Sequence, residues 1–149
     1  MTYLLDTDML IFMIRGLKSG KRPAQRQRAQ QVIDRCREAQ AAGDAVALSA
    51  LTVSELEFGA RLSADYEAEM AAVRKALTPF DLHDFDAIAC PSHYGRIRHE
   101  LETEGVTIGS LDLLIAAHAL ALDATLVSNN LAHFSRVRGL KTVNWLPQR

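Results

Sequence analysis

Apolar and polar residues alternate in blocks along this chain, and the block period switches repeatedly between strand-like runs and helical spacing. Tyr3-Leu4-Leu5 is a short apolar run that stops at Asp6, the pattern of a buried strand. Residues 9–14 continue apolar and predict the start of a helix. Two glycines and a proline between Gly16 and Pro23 predict a loop. Val32, Ile33, Cys36 and Ala39 recur at helical spacing, and Gly43 is placed to end that helix. Residues 45–50 read as a second strand, followed by helices over about 54–62 and 66–77. Phe80-Asp81-Leu82 predicts a short strand. Residues 86–104 have helical character, but Pro91 lies inside them. Proline is tolerated only in a first turn, so the helix either begins near Cys90 or kinks there. Residues 110–122 are apolar on nearly every side, the mark of a buried helix. Leu126-Val127 and residues 141–143 supply further strands.

Strands alternating with helices predict an α/β fold whose mainly parallel sheet is covered on both faces. Ligands in such folds bind beyond the carboxyl ends of the strands. Asp6 and Ser128-Asn129-Asn130 both follow strands, which places them at that edge.

The length, 149 residues, suits one domain spanning 1–149. Hydrophobic residues make up 48% and charged residues 23%, enough apolar content for a core that folds without disulfides. Cys36 and Cys90 lack metal-ligand spacing and are expected to be free thiols in a reducing cytosol. No apolar run is long enough for a membrane span, and no secretory signal precedes Tyr3, so a cytoplasmic protein without a membrane partner is expected. The net charge of -1 hides an uneven distribution. Arg15, Lys18, Lys21, Arg22, Arg26, Arg28, Arg35 and Arg37 face only Asp34, so that segment carries +7 and the remainder -8. Such an arm either attracts a phosphate backbone, with Lys21, Arg22, Arg26 and Arg28 as contacts, or forms a solvated helix face.

Candidate chemistry rests on four places: Asp6-Thr7-Asp8, Glu55, Asp112 and Ser128-Asn129-Asn130. Each has a plainer reading. Asp6 could bond amides at a strand end. Thr52-x-x-Glu55 and Ser54-x-x-Glu57 both read as capping boxes. Asp112 follows Ser110, a candidate N-cap, and an acid in a first helical turn suits the dipole. Asn129-Asn130 reads as a turn. His118 has no second histidine at ligand spacing and is expected to be a satisfied core residue.

The set is more specific than its members. Leu5-Asp6-Thr7-Asp8, residues 51–60 with Ser54-Glu55-Leu56, and Tyr94-Gly95-Arg96-Ile97-Arg98 resemble the PIN-domain ribonucleases of the VapC toxin family. The strongest stretch is Ile108-Gly109-Ser110-Leu111-Asp112-Leu113-Leu114-Ile115-Ala116-Ala117-His118-Ala119, continuing through Thr125-Leu126-Val127-Ser128-Asn129-Asn130 to Asn144-Trp145. Only residues 15–44 fall outside the resemblance. It implies a three-layer α/β/α fold, a toxin of a type II toxin–antitoxin system, and a magnesium-dependent endoribonuclease with manganese as an alternative ion. It also implies a VapB-like antitoxin that inserts into the active-site groove, and a homodimer. Asp6, Glu55 and Asp112 match the family's acidic cluster, with Asn130 in the place of a fourth acid as a neutral ligand. Asp8 is a second departure, standing where the family commonly has asparagine. The C-terminal stretch most resembles toxins that act on initiator transfer RNA.

Independently of the resemblance, magnesium takes oxygen ligands and keeps several waters, so a few carboxylates suffice to hold it for phosphodiester cleavage. Two other readings are open. Asp6-x-Asp8 after a strand also resembles the nucleophile and general acid of haloacid-dehalogenase-type phosphatases, although no late acidic pair or preceding lysine accompanies it. The neutral Asn130 would also suit a nuclease-derived RNA-binding module without catalysis.

Overall fold

The apolar runs become five strands of one parallel sheet: β1 (Thr2–Leu5), β2 (Ala45–Ser49), β3 (Asp81–His83), β4 (Thr125–Val127) and β5 (Lys141–Val143), in the order β3-β2-β1-β4-β5. The computed structural model describes residues 1–18 and 20–146. Successive side chains of a strand point to opposite faces, so central β1 sends Leu4 to one layer and Leu5 to the other. Leu5, Val46, Leu48 and Val127 pack under α1 (Thr7–Gly16), α2 (Pro23–Ala41), α3 (Ala50–Leu62) and α4 (Tyr66–Leu77). Leu4, Ala47 and Leu126 pack under α5 (Ala89–Thr103), α6 (Ser110–Ala121) and α7 (Leu131–Phe134). The result is the expected three-layer α/β/α sandwich, with every described strand parallel.

Several element boundaries differ from the sequence reading for local reasons. Helix α2 starts at Pro23 as its first helical residue, not near Val32; its first two turns bury only Ala29, so the apolar period starts late. Helix α3 begins at Ala50, capped by Ser49, whose hydroxyl accepts from the Leu51 amide at 3.1 Å. Thr52 and Ser54 therefore lie inside the helix, and neither capping box exists. Ser54 instead donates to the Ala50 carbonyl at 2.9 Å. Helix α5 starts at Ala89, so Pro91 falls in its first turn and no kink is needed. Ser110 is the first residue of α6, and Gly109 occupies the cap without a side-chain bond.

Helices α1 and α2 approach closely at Gly16. A Cβ there would sit 2.5 Å from the Ala29 Cβ, which is fixed to its backbone and cannot swing aside. Gly16→Ala is therefore expected to destabilise the fold by about 1–3 kcal/mol, the cost of forcing extra atoms into a packed contact. Urea unfolding of the variant checks this; an unchanged midpoint would show that the helices can part freely.

Candidate active site at the carboxyl edge of the sheet

The strand order reverses between β1 and β4, and a parallel sheet opens a crevice at such a reversal. Asp6 is the first residue beyond β1. Its amide donates to the Val127 carbonyl at 3.0 Å, closing the seam between the two strands. Its carboxylate caps α1, accepting from the Met9 amide at 2.7 Å, and the Ser128 hydroxyl beside it favours the charged form. Only 4% of the residue is exposed. Burial drives its pKa up from 3.8 to about 6, and the negative charges of Asp8 and Asp112 add to this; the bonds from Ser128 and Met9 oppose it.

Asp112 is half-buried in the first turn of α6. Burial raises its pKa, the Asp8 charge raises it further, and His133 opposes. Asp8 is exposed in the first turn of α1. Three carboxylates from the N-termini of two helices thus share one end of the crevice.

Two expected members stand differently. Glu55 is exposed on α3, lining a groove with Ile11, Ile14, Arg15 and Lys18. It is not among the charges that raise Asp6 or Asp112. Asn130 is half-buried beside the cluster: its amide donates to Ser128 Oγ at 2.8 Å, and its side-chain nitrogen is 2.8 Å from His133 Nδ1. Ser128 therefore stands beside both Asp6 and Asn130. Asn129 belongs elsewhere, its side-chain oxygen accepting from Asn144 at 3.0 Å. Ser128 was singled out from sequence only as part of the Ser128-Asn129-Asn130 loop, without a role of its own, and His133 was not singled out. A hydroxyl one residue beyond a strand that neighbours the Asp6 strand was the available signal for Ser128; nothing marked His133.

The basic arm divides. Lys21, Arg22 and Arg26 are exposed at the start of α2. Arg28 is not a free cation: its guanidinium lies 5.8 Å from the Phe12 ring centroid, and its Nε is buried without a hydrogen-bond partner among the described residues. Its stem packs between α1 and α2.

Among the described residues, no three acidic, histidine or cysteine side chains converge as a ready-made metal shell. The donors that do share the crevice are hard carboxylate oxygens. One of them is buried, with no cation contributing to its surroundings among the described residues. That donor set fits a small hard cation, which would offset the repulsion that lifts Asp6.

The protein is a parallel α/β/α sandwich with carboxylates at its switch point, and the family model of the PIN domain matches residues 3–140. Ribonuclease VapC2 of Rickettsia felis is 34% identical over 145 residues, covering 97% of this chain and 98% of the relative. The tRNA(fMet)-specific endonuclease VapC of Shigella flexneri is 33% identical over 143 residues, covering 96% and 97%. The toxin–antitoxin crystal structure of VapBC2 from Rickettsia felis, bound to a DNA fragment from their promoter, contains a chain of TM-score 0.81 and 32% identity, covering 97% of this chain and 99% of that one. The chain belongs to the VapC ribonucleases of the PIN-domain family.

Proposed function

We propose that this protein is the toxin of a type II toxin–antitoxin pair, an endoribonuclease that cuts RNA at the β1/β4 crevice with magnesium or manganese held by Asp6 and Asp112. The observation that carries this reading is the buried Asp6 carboxylate, raised to about 6 beside two further acids in a chain of this family. Asp6 is fixed from two sides by Ser128 and the Met9 amide, so it presents one oxygen geometry. Asn130, beside the cluster, and Glu55, which lines the adjoining groove on α3, would serve as further oxygen ligands. Bound there, the ion would polarise the scissile phosphate and supply hydroxide as the nucleophile. Asp8, exposed at the rim, adds negative charge rather than a buried ligand. Direct attack by Asp6 on phosphorus is disfavoured, because its carboxylate is buried and engaged in capping α1.

The Shigella relative's specificity makes an initiator transfer RNA the first substrate to test. A VapB-like antitoxin is the expected partner, and its insertion over the crevice would exclude RNA. Phe58 and Leu62, exposed one helical turn apart on α3, support a further apolar interface such as a second copy of this chain. No described helix is long and apolar enough to cross a membrane.

Total RNA incubated with the protein and magnesium, or with EDTA, followed by sequencing of new ends, tests activity and substrate together. Cleavage confined to the magnesium arm and lost in Asp112→Asn and Glu55→Gln is expected. Cleavage unaffected by EDTA would remove the metal from the reading, and intact activity in Asp112→Asn would remove that residue.

The exposed basic residues predict a salt effect. Replacing Lys21, Arg22 and Arg26 with glutamine is expected to weaken RNA binding and reduce the slope of log K against log salt by about 0.7 for each lost phosphate contact. An identical slope in filter-binding titrations would assign these residues to another partner.

A further inference from the structure

Helix α3 carries Glu55, yet it is fastened to the two acid-bearing helices through buried polar bonds rather than apolar packing alone. Toward α1, Thr52 Oγ1 and Thr7 Oγ1 are 2.9 Å apart, both side chains buried, with Thr7 adjacent to Asp6. Toward α6, Ser49 Oγ is 2.7 Å from His118 Nδ1, Ser49 being 0% and His118 1% exposed. Ser49 Oγ simultaneously accepts from the Leu51 amide, so the same atom caps α3 and ties it to α6. The imidazole packs edge-on to Phe85 at 5.5 Å, and its Nε2 is buried without a hydrogen-bond partner among the described residues. Burial and the neighbouring His83 lower the pKa of the ring, against the Asp84 backbone, which raises it.

A buried polar pair of this kind adds little net stability over an apolar pair of the same shape, because both groups give up water. It differs in having a narrow range of permitted geometry, whereas apolar faces can slide. His118 also leaves one nitrogen unpartnered, a cost that an alanine or leucine at this position would not carry. The bond therefore fixes where α3 sits against α6, and so where Glu55 stands relative to Asp112.

We propose that His118 and Ser49 are positioning residues for the acidic centre: through the 2.7 Å bond they set the spacing between the Glu55-bearing and Asp112-bearing helices. This rests on the nuclease reading above. The pair touches neither substrate nor ion; it acts by holding the start of α3, with the Thr7–Thr52 bond as the matching fastening on the other side.

The test compares Ser49→Ala and His118→Leu, which lose the bond, with His118→Asn, whose amide can place a hydrogen-bonding atom near the position of Nδ1. Each is measured for Mn2+ affinity by calorimetry, for kcat and KM on a cleaved RNA, and for Tm in EDTA. The expected result is about tenfold weaker Mn2+ binding and about 10–100-fold lower kcat for Ser49→Ala and His118→Leu, the range seen when groups orienting metal ligands are removed. KM should change much less, Tm should not fall in proportion, and His118→Asn should recover most of the loss. If His118→Leu does not fold, Ser49→Ala decides. Wild-type Mn2+ affinity and kcat in the bond-deleting variants would overturn the proposal. So would losses that simply follow Tm and are not recovered by His118→Asn. A wild-type protein that neither binds Mn2+ nor cuts RNA would instead sink the nuclease reading itself.

Discussion

Asp6→Asn is expected to lose RNA cleavage by at least about a hundredfold, more than the loss of a group that merely orients a ligand, and yet to melt higher than wild type in EDTA. The two effects share one cause. Asp6 holds its proton more tightly when folded, with its pKa at about 6 against 3.8 in an exposed chain. The folded state is therefore favoured fully below pH 3.8, and that contribution is lost as pH rises through about 6. At neutral pH the ionised, buried carboxylate costs about 3 kcal/mol on this scale. Asparagine removes the charge, can still cap α1 through its oxygen, and can still accept from Ser128, so little is lost in exchange. For a chain of this size the gain corresponds to a Tm higher by roughly 5–10 °C. Magnesium should close the gap by binding wild type, adding about 2.7 kcal/mol at a hundredfold excess over Kd, and should reverse the order at about a thousandfold excess, where it adds about 4.1 kcal/mol. Paired melts at pH 4 and pH 7.5, with EDTA or magnesium, check each part. A variant that melts lower than wild type in EDTA at pH 7.5 would mean that Asp6 is chiefly a helix cap, and the buried-charge account would fail.

The second large effect is structural and sits under the same site. Phe134 is fully buried, packed with Leu126 and Val137 in the α5/α6 layer. It is the only buried residue of α7, a helix of 4 residues that cannot persist on its own hydrogen bonds. Phe134→Ala should cost about 3–5 kcal/mol, the transfer free energy of the ring plus the cavity it leaves. Asn130 and His133 are held by this one anchor, so cleavage should fall even at temperatures where the variant stays folded. Guanidinium denaturation and single-turnover cleavage at low temperature measure the two losses separately. A cost below about 1 kcal/mol would mean that the surrounding side chains collapse into the space.

The strands and the buried α6 were legible because each is a local pattern: a short apolar run that stops at a polar residue, or a helix apolar all round. Asp6 was legible as the polar residue that stops the first apolar run, whereas Asp112, which alone reads as an acid suited to a helix start, was singled out through the family resemblance. The start of α3 was not, because Thr52 mimics a cap in sequence, whereas in the fold its hydroxyl meets Thr7, a partner 45 residues away. The approach of Arg28 to Phe12 was not legible, because it is a tertiary contact with no sequence period. His118 was expected to be satisfied and is only half so: Nδ1 has Ser49, while Nε2 has no hydrogen-bond partner among the described residues. The share of Asp8 in the charge of the crevice depends on Asp112 arriving from the far end of the chain.

The order of the sheet also bears on when this protein becomes dangerous to the cell that makes it. Central β1 precedes the other described strands along the chain, and it pairs with β2 on one side but with β4 on the other, more than a hundred residues later. Until β4 emerges from the ribosome, β1 has one open flank, and the seam that seats Asp6 against Val127 and Ser128 does not exist. Contacts so distant along the chain form late, after the intervening loop has been closed. The cutting edge is thus assembled only once β4 has been made, so a chain interrupted before β4 carries Asp6 without the seam that seats it.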